Sequence, residues 1–316
     1  MSALYLTEDD VRRLVDLPAA VEVVEQAFAE LAAGRAVNVP RTRAAAPGVM
    51  LHVLSAAAEY LGYVGLKAYT TTRAGARFHV ALYEAAAGEP AAVIEADYLG
   101  QLRTGAASAV ATDYMARADA RIVGVFGAGK QARTQLAGVS AVRKIERAEV
   151  YGPNAERCGR FADEMSAACG IEVVPVRAPD EAAADKDIVI CATTSKTPLF
   201  EGRVLDEGTH LNVVGSNFLA KTEIDLDTVR RADVIVCDSI AQCRLEAGDF
   251  VEALQAGVTD WPLMHELGDV VAGRATGRAN PEQITLFKSV GLAIEDVALA
   301  AKVLERAKAE GAGRRQ

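Results

Sequence analysis

The chain has 316 residues, 51% of them hydrophobic and 24% charged, with a formal charge of -9; this is the composition of a globular protein large enough to form two domains. No stretch approaches the roughly 18 uninterrupted apolar residues of a spanning helix, which argues against a membrane partner. Lys and Arg are scattered and the few aromatics are not clustered, so nucleic acid is not an expected partner either.

The opening segment from Met1 to Asp10 lacks the basic and long apolar regions of an export signal, and a cytoplasmic location is the expectation. The five cysteines (Cys158, Cys169, Cys191, Cys237, Cys243) are odd in number and have no Cys-x-x-Cys spacing, which reads as packing rather than disulfides. The first predicted element is a helix. Pro18 follows Asp16 at a first-turn position, Val21, Val24, Phe28 and Leu31 recur at helical spacing, and Gly34 stops it. Short extended stretches follow at Val49 to Leu54, Gly62 to Tyr69 and His79 to Tyr83, predicting an α+β region.

From Arg121 the pattern changes to short apolar strands alternating with amphipathic helices, the mark of an α/β fold with a parallel sheet. The predicted strands are Ile122 to Phe126, Ala148 to Tyr151, Glu172 to Val176, Ile188 to Ala192, Leu211 to Val214 and Val234 to Cys237, with a last apolar stretch at Ile284 to Phe287. Asp225 and Asp227 are expected to begin a helix, where acids suit the dipole. The run Gly291 to Ala307 is predicted helical, and the tail Glu310 to Gln316, having no apolar face, is expected to fray.

The first strand of this region runs into Gly127-Ala128-Gly129-Lys130-Gln131-Ala132, which opens a helix. Strand, glycine turn and helix together specify a dinucleotide loop. Gly127 permits the tight turn, Gly129 lets backbone amides approach a pyrophosphate, and Ala132 stands where helix meets strand. The next strand ends Val150-Tyr151-Gly152-Pro153-Asn154 without the acid that would hold an NAD ribose, while Asn154, Arg157 and Arg160 lie near enough to meet a 2'-phosphate. The expected cofactor is therefore NADP(H) or NAD(H), with the balance toward NADP(H). Arg157 and Arg160 read equally well as solvated helix residues. Thr193, Thr194 and Ser216 sit on later loops that reach the same crevice.

Arg41, Gly65-Leu66-Lys67, Gln101-Leu102-Arg103-Thr104-Gly105-Ala106, the glycine turn and Phe287-Lys288-Ser289-Val290-Gly291 occur in fixed order over nearly the whole chain. In this the sequence resembles the ornithine cyclodeaminase and mu-crystallin family. The resemblance implies a Rossmann domain (118–291) inserted in a substrate and dimerisation domain (1–117 plus 292–316), a homodimer, and an NAD(P)-dependent enzyme acting on α-amino or α-imino acids. It implies that Arg41 and Arg103 hold a substrate carboxylate, that Lys67 is the active-site lysine, and that Lys288, Ser289 and Gly291 approach the nicotinamide and ribose. The residue types suit these roles, because a guanidinium fork matches a carboxylate and a lysine can polarise or protonate a C=N group.

One position departs from the pattern. Asn217 stands where the cyclodeaminase and alanine dehydrogenase members of the family carry an Asp, and an amide cannot take up a proton at neutral pH. The expected activity is reduction of an imino acid or cyclic ketimine carboxylate, or its reversal as an amino-acid dehydrogenase, with Asn217 orienting the nitrogen or a water. Two alternatives stand beside it: an ornithine cyclodeaminase that recycles its NAD, and a non-catalytic ligand-binding protein like the crystallin. His79 is either a further substrate contact or a strand histidine satisfied by backbone partners. His52, His210 and His265 form no ligand cluster, and no metal site is expected.

Overall fold

A computed structural model describes residues 3–315. It divides into two compact units, one built from the residues up to Ala106 together with those from Gly291 onward, the other from Ala107–Val290.

The first unit opens with β1 (Leu4–Leu6) and α1 (Glu8–Leu14), whose start is fixed by reciprocal capping between Thr7 and Asp10. α2 (Leu17–Ala32) begins where the sequence predicts: Asp16 Oδ1 accepts from Ala19 N at 3.1 Å and Pro18 occupies the first turn. A cap of this kind contributes about 1 kcal/mol. β2 (Ala36–Ala46), β3 (Val49–Ala58), β4 (Tyr63–Thr72) and β5 (Gly75–Glu84) then pair antiparallel in succession, and β6 (Pro90–Glu95) pairs antiparallel with β5 and parallel with β1. Sequence pattern locates parts of β3, β4 and β5 but misses β2, where Pro40, Arg41 and Arg43 interrupt the apolar alternation. α3 (Asp97–Met115) follows. The division between the units falls inside this helix, between 106 and 107, whereas the family resemblance implies a change at 117/118.

The second unit alternates strands and helices: β7 (Ile122–Phe126), α4 (Lys130–Val142), β8 (Arg147–Tyr151), α5 (Ala155–Cys169), β9 (Glu172–Pro175), β10 (Ile188–Cys191), β11 (His210–Val213), α6 (Leu226–Arg231), β12 (Val234–Cys237), α7 (Ile240–Glu246), α8 (Val251–Gln255), β13 (His265–Glu266), α9 (Leu267–Val271) and β14 (Thr285–Lys288). Its eight strands pair parallel in the order β13-β12-β14-β11-β10-β7-β8-β9. The α/β expectation is borne out. β10, β11 and β14 are buried along their whole length, as a parallel sheet covered on both faces requires. The chain runs outward from β7 to β9 and returns to β10 on the other side of β7, so β7 and β10 flank the point where strand order reverses. Asp225 caps α6 as expected, its Oδ1 accepting from Thr228 N at 2.8 Å.

α10 (Ala293–Glu310) and β15 (Arg314–Arg315) complete the first unit, whose seven strands lie in the order β15-β1-β6-β5-β4-β3-β2. Over its described residues, 310–315, the tail does not fray as expected; Gln316 lies outside the described residues. Gly311 caps α10 in the left-handed region at φ 68°, and Arg314 and Arg315 pair antiparallel with Tyr5 and Leu4, so backbone hydrogen bonds order a segment with no apolar face. α10 packs across β2, β3, β4 and β5 and is buried around most of its circumference. Among the described residues no helix is long and apolar enough to cross a membrane.

Candidate active site

In the first unit, strand parity assembles a charged cluster on the sheet face beneath α10. Lys67 in β4 stands opposite Leu54 of β3 and Val80 of β5, all three buried, so its side chain points into the α10-covered face. Arg41 reaches the same face through a bulge. Val39 pairs with Ser55 and Thr42 with Val53, so Pro40 and Arg41 together oppose Leu54 alone. Pro40 has no N-H to give the ladder, and the extra residue turns Arg41 inward, where it is 8% exposed. Arg103 comes from α3, and the first turn of α10 supplies Glu295 and Asp296, both fully buried.

The contacts are close. Lys67 Nζ lies 2.8 Å from Asp296 Oδ1, and Arg103 Nε donates to the same oxygen at 3.2 Å. Arg103 Nη1 donates to Glu295 Oε2 at 2.7 Å, and Arg41 Nη2 donates to the Gly291 carbonyl at 3.3 Å. Gly291 takes φ 81°, and a Cβ there would lie 2.7 Å from Arg103 Nη1. Among these five charged groups the cations exceed the anions by one, and Arg43 lies on the same face, so the cluster suits an anionic ligand such as a carboxylate. Burial pushes the Lys67 amine down, Asp296 draws it back up, and Arg103 and Arg41 depress it further, leaving it at about 8. An amine poised there exchanges protons readily near neutral pH.

An aromatic row flanks the cluster on the same face. His52 stacks on Tyr69 with centroids 4.2 Å apart, Tyr69 stacks on Phe78 at 4.9 Å, and the Phe78 centroid lies 5.4 Å from Lys67 Nζ. His79 does not belong to this site. It pairs with Ala68, one residue out of step with Lys67, so the period of two puts it on the opposite, exposed face, and the expectation that it contacts substrate is corrected.

In the second unit, a cleft of about 360 Å³ opens at the carboxyl ends of β7, β8 and β10, where the strand order reverses. Gly127 takes φ 102° and a Cβ there would meet the Ala192 carbonyl at 2.6 Å, so only glycine makes this turn. A Cβ on Gly129 would meet nothing within 4 Å. Gly129 also begins α4 without a side-chain cap, leaving first-turn amides and open space together at a helix N-terminus, the arrangement that holds a phosphate. Ala132 is fully buried where helix meets strand. These features fit a dinucleotide, with Gly127, Ala128, Gly129, Gly152, Asn154, Arg157, Thr193 and Thr194 among the lining residues.

Other expected contacts lie elsewhere. Lys130 is exposed and Gln131 half-buried on the first turn of α4, outside the cleft lining, as are Ser216 and Asn217. Arg160 pairs with Glu156 on an exposed helix face. Lys288 is fully buried, 2.6 Å from Asp249 Oδ2, and donates to the Ser216 carbonyl at 2.9 Å. Ser289 Oγ donates to Asp238 Oδ2 at 2.9 Å, and Gly291 belongs to the Arg41 and Arg103 cluster described above. Lys288 and Ser289, both buried, thus have partners inside the protein, as buried polar groups require.

Sequence reasoning passed over three acids. Glu223 is buried and accepts from Thr193 N and Oγ1 and from Gly215 N, each at 2.7 Å, which ties two loops at the carboxyl edge together. Burial raises its carboxyl, with Lys288 opposing. Glu295 and Asp296 carried one legible signal: two adjacent acids inside an otherwise apolar helical run. At a helix start such acids ordinarily read as dipole partners.

The family model described as "Ornithine cyclodeaminase/mu-crystallin family" matches residues 1–311. The Delta(1)-pyrroline-2-carboxylate reductase of Bacillus cereus is 32% identical over 321 residues, covering 98% of each chain. Among solved structures, the Thermococcus litoralis Delta(1)-pyrroline-2-carboxylate reductase in complex with NADH and L-proline superposes with a TM-score of 0.94 at 37% identity, covering 99% of this chain and 100% of that one. An archaeal alanine dehydrogenase dimer with bound NAD gives 0.94 at 31% identity, covering 100% and 99%.

Proposed function

The chain belongs to the ornithine cyclodeaminase/mu-crystallin family, and on that premise we propose that it reduces the C=N bond of an α-imino acid or cyclic ketimine carboxylate to an amino acid, or runs the reverse oxidation. It is a nicotinamide-dinucleotide oxidoreductase. The observation that carries the substrate assignment is the buried Lys67 amine, at about 8, between a carboxylate and two guanidinium groups. Arg41 and Arg103 bind the substrate carboxylate and orient the α-carbon. Lys67 Nζ gives its proton to the imine nitrogen in reduction and takes it back in oxidation. When bound, the nicotinamide supplies or accepts the hydride at that carbon. The 217 position favours this reading over cyclodeamination, since the Asn217 amide, unlike an Asp carboxylate, cannot take up a proton at neutral pH. The test is to follow dinucleotide consumption with a cyclic imine carboxylate and with acyclic α-imino acids. Turnover of either class supports the proposal, whereas ammonia release from L-ornithine with catalytic NAD and no net dinucleotide change overturns it.

Within that function, the preferred dinucleotide is NADP(H). None of the cleft's lining residues is acidic, Arg157 is its one cation, and the nearby Glu149 is engaged by Arg147 and Lys186. Arg157→Ala is expected to raise KM for NADPH roughly tenfold, the loss of one charge-assisted hydrogen bond, with little change for NADH. A wild-type enzyme that uses NADH better than NADPH would refute the preference.

The second copy of a homodimer covers the outer face of the antiparallel sheet. Val37, Val39, Val49, Leu51 and Val64 are 57%, 44%, 37%, 40% and 38% exposed. Register puts all five on the face opposite Lys67, a contiguous apolar patch of the kind that marks an interface. Sedimentation at micromolar concentration should give twice the monomer mass; a monomer there would rule it out.

A further inference from the structure

Among the described residues Asp296 is the one acid in contact with the Lys67 amine, and its geometry is unusual for a simple ion pair. Its Oδ1 is shared between Lys67 Nζ at 2.8 Å and Arg103 Nε at 3.2 Å, while its Oδ2 is buried with no hydrogen-bond partner among the described residues. The carboxylate is thus held by one oxygen at the junction of the two groups on which the reaction depends. The groups that share the face with Lys67 are Asp296 and Glu295 from α10, Arg103 from α3, Arg41 and Arg43 from β2, His52 from β3, Tyr69 from its own strand and Phe78 from β5. Glu295 is turned to Arg103 and to the Leu292 amide. Of the two acids, Asp296 is the one that accepts from Lys67 Nζ among the described residues, and there it opposes the two guanidinium groups that favour a neutral amine.

We infer that Asp296 is a positioning residue that keeps Lys67 protonated and aimed, and thereby sets the pH range over which the enzyme works as a reductase. This rests on the imine-reductase reading above. In the reductive step the imine carbon takes up a hydride from the dinucleotide, which is oxidised, and the imine nitrogen takes the proton that leaves Lys67 Nζ. Only the ammonium form can deliver it. Without the carboxylate, burial and the neighbouring Arg103 and Arg41 act on the amine unopposed, in the direction already seen for burial. The amine would then be neutral at a pH where the native enzyme is loaded.

The experiment compares wild type with Asp296→Asn, nearly the same shape, by two readouts. The first is the pH dependence of Lys67 labelling by an amine-reactive reagent, read by peptide mass spectrometry on the enzyme without substrate. The second is the pH profile of kcat/KM for imine reduction. Removing an opposite charge at this distance shifts a titration by about one to three units. The labelling midpoint and the alkaline limb of the profile are both expected to move down by that much in Asp296→Asn, with the rate deficit shrinking as the pH is lowered. A rate loss equal at every pH, with an unmoved labelling midpoint, would overturn the inference and leave Asp296 a merely structural partner. Should Asp296→Asn not fold, Asp296→Glu keeps the charge and is expected to hold the labelling midpoint near wild type; a midpoint displaced downward there also overturns it. Because labelling needs no turnover, a wild type inactive on every imine would sink the reductase reading while leaving the Asp296–Lys67 coupling separately measurable.

Discussion

Lys67→Met is expected to lower kcat for imine reduction by about 10²–10⁴-fold, the range removed with a positioned general acid. Dinucleotide affinity should barely change, because the residues that fit the cofactor belong to the glycine turn and its neighbouring loops. The methionine fills a similar volume without charge, so the deficit reads proton transfer and not a cavity. The native pH dependence follows from the same amine. With Lys67 at about 8, the ammonium form predominates below that pH and the neutral form above it. Reduction needs the proton, so kcat/KM should fall as pH rises through about 8; oxidation needs the neutral amine, so it should rise over the same interval. Steady-state profiles in both directions check this. A Lys67→Met enzyme with native kcat would remove lysine from the mechanism altogether.

Arg103→Leu is expected to cost about 3–5 kcal/mol of stability, the penalty for leaving a buried charge without its partner. Arg103 bridges Glu295 Oε2 at 2.7 Å and Asp296 Oδ1 at 3.2 Å, and both acids are fully buried. Its removal takes away the 2.7 Å donor to Glu295 Oε2 and one of the two donors to Asp296 Oδ1. Denaturant unfolding of the variant should show the loss, and adding Glu295→Gln should recover part of it by removing the stranded charge. The same variant should bind an amino-acid ligand more weakly, since one of two guanidinium groups is gone. Native stability in Arg103→Leu would mean that the acids find other partners, and the account of the cluster as a mutually dependent network would fail.

Much of the second unit is legible because its signals are local. A glycine turn between a strand and a helix acts over half a dozen residues, and Gly127 does take the positive φ that the turn demands. Caps behave in the same way: Asp16 and Asp225 each accept the amide of a residue three positions on. A functional role for Lys67 and Arg103 is implied in the sequence only by the order of the family's motifs, not by any property of the two residues taken singly. A lone buried lysine and a lone surface lysine look identical in sequence.

What determined the chemistry of the cluster is non-local. Asp296 meets Lys67 across 229 residues of chain, and Arg41 reaches Gly291 across 250. Whether Arg41 faces inward depends on one extra residue in β2 relative to β3, and whether His79 faces inward depends on its being one step out of phase with Lys67. Likewise Glu223 becomes the tie between two loops only because parallel strands bring their carboxyl ends to one edge. From the sequence alone come the parallel-sheet alternation, the dinucleotide turn, the family's motif order and the missing acid at Asn217, since each rests on residue types at short spacing. Only the tertiary structure decides which face each strand presents, which charges are buried together and hence where the Lys67 amine titrates, because desolvation and pairing are properties of the packed neighbourhood.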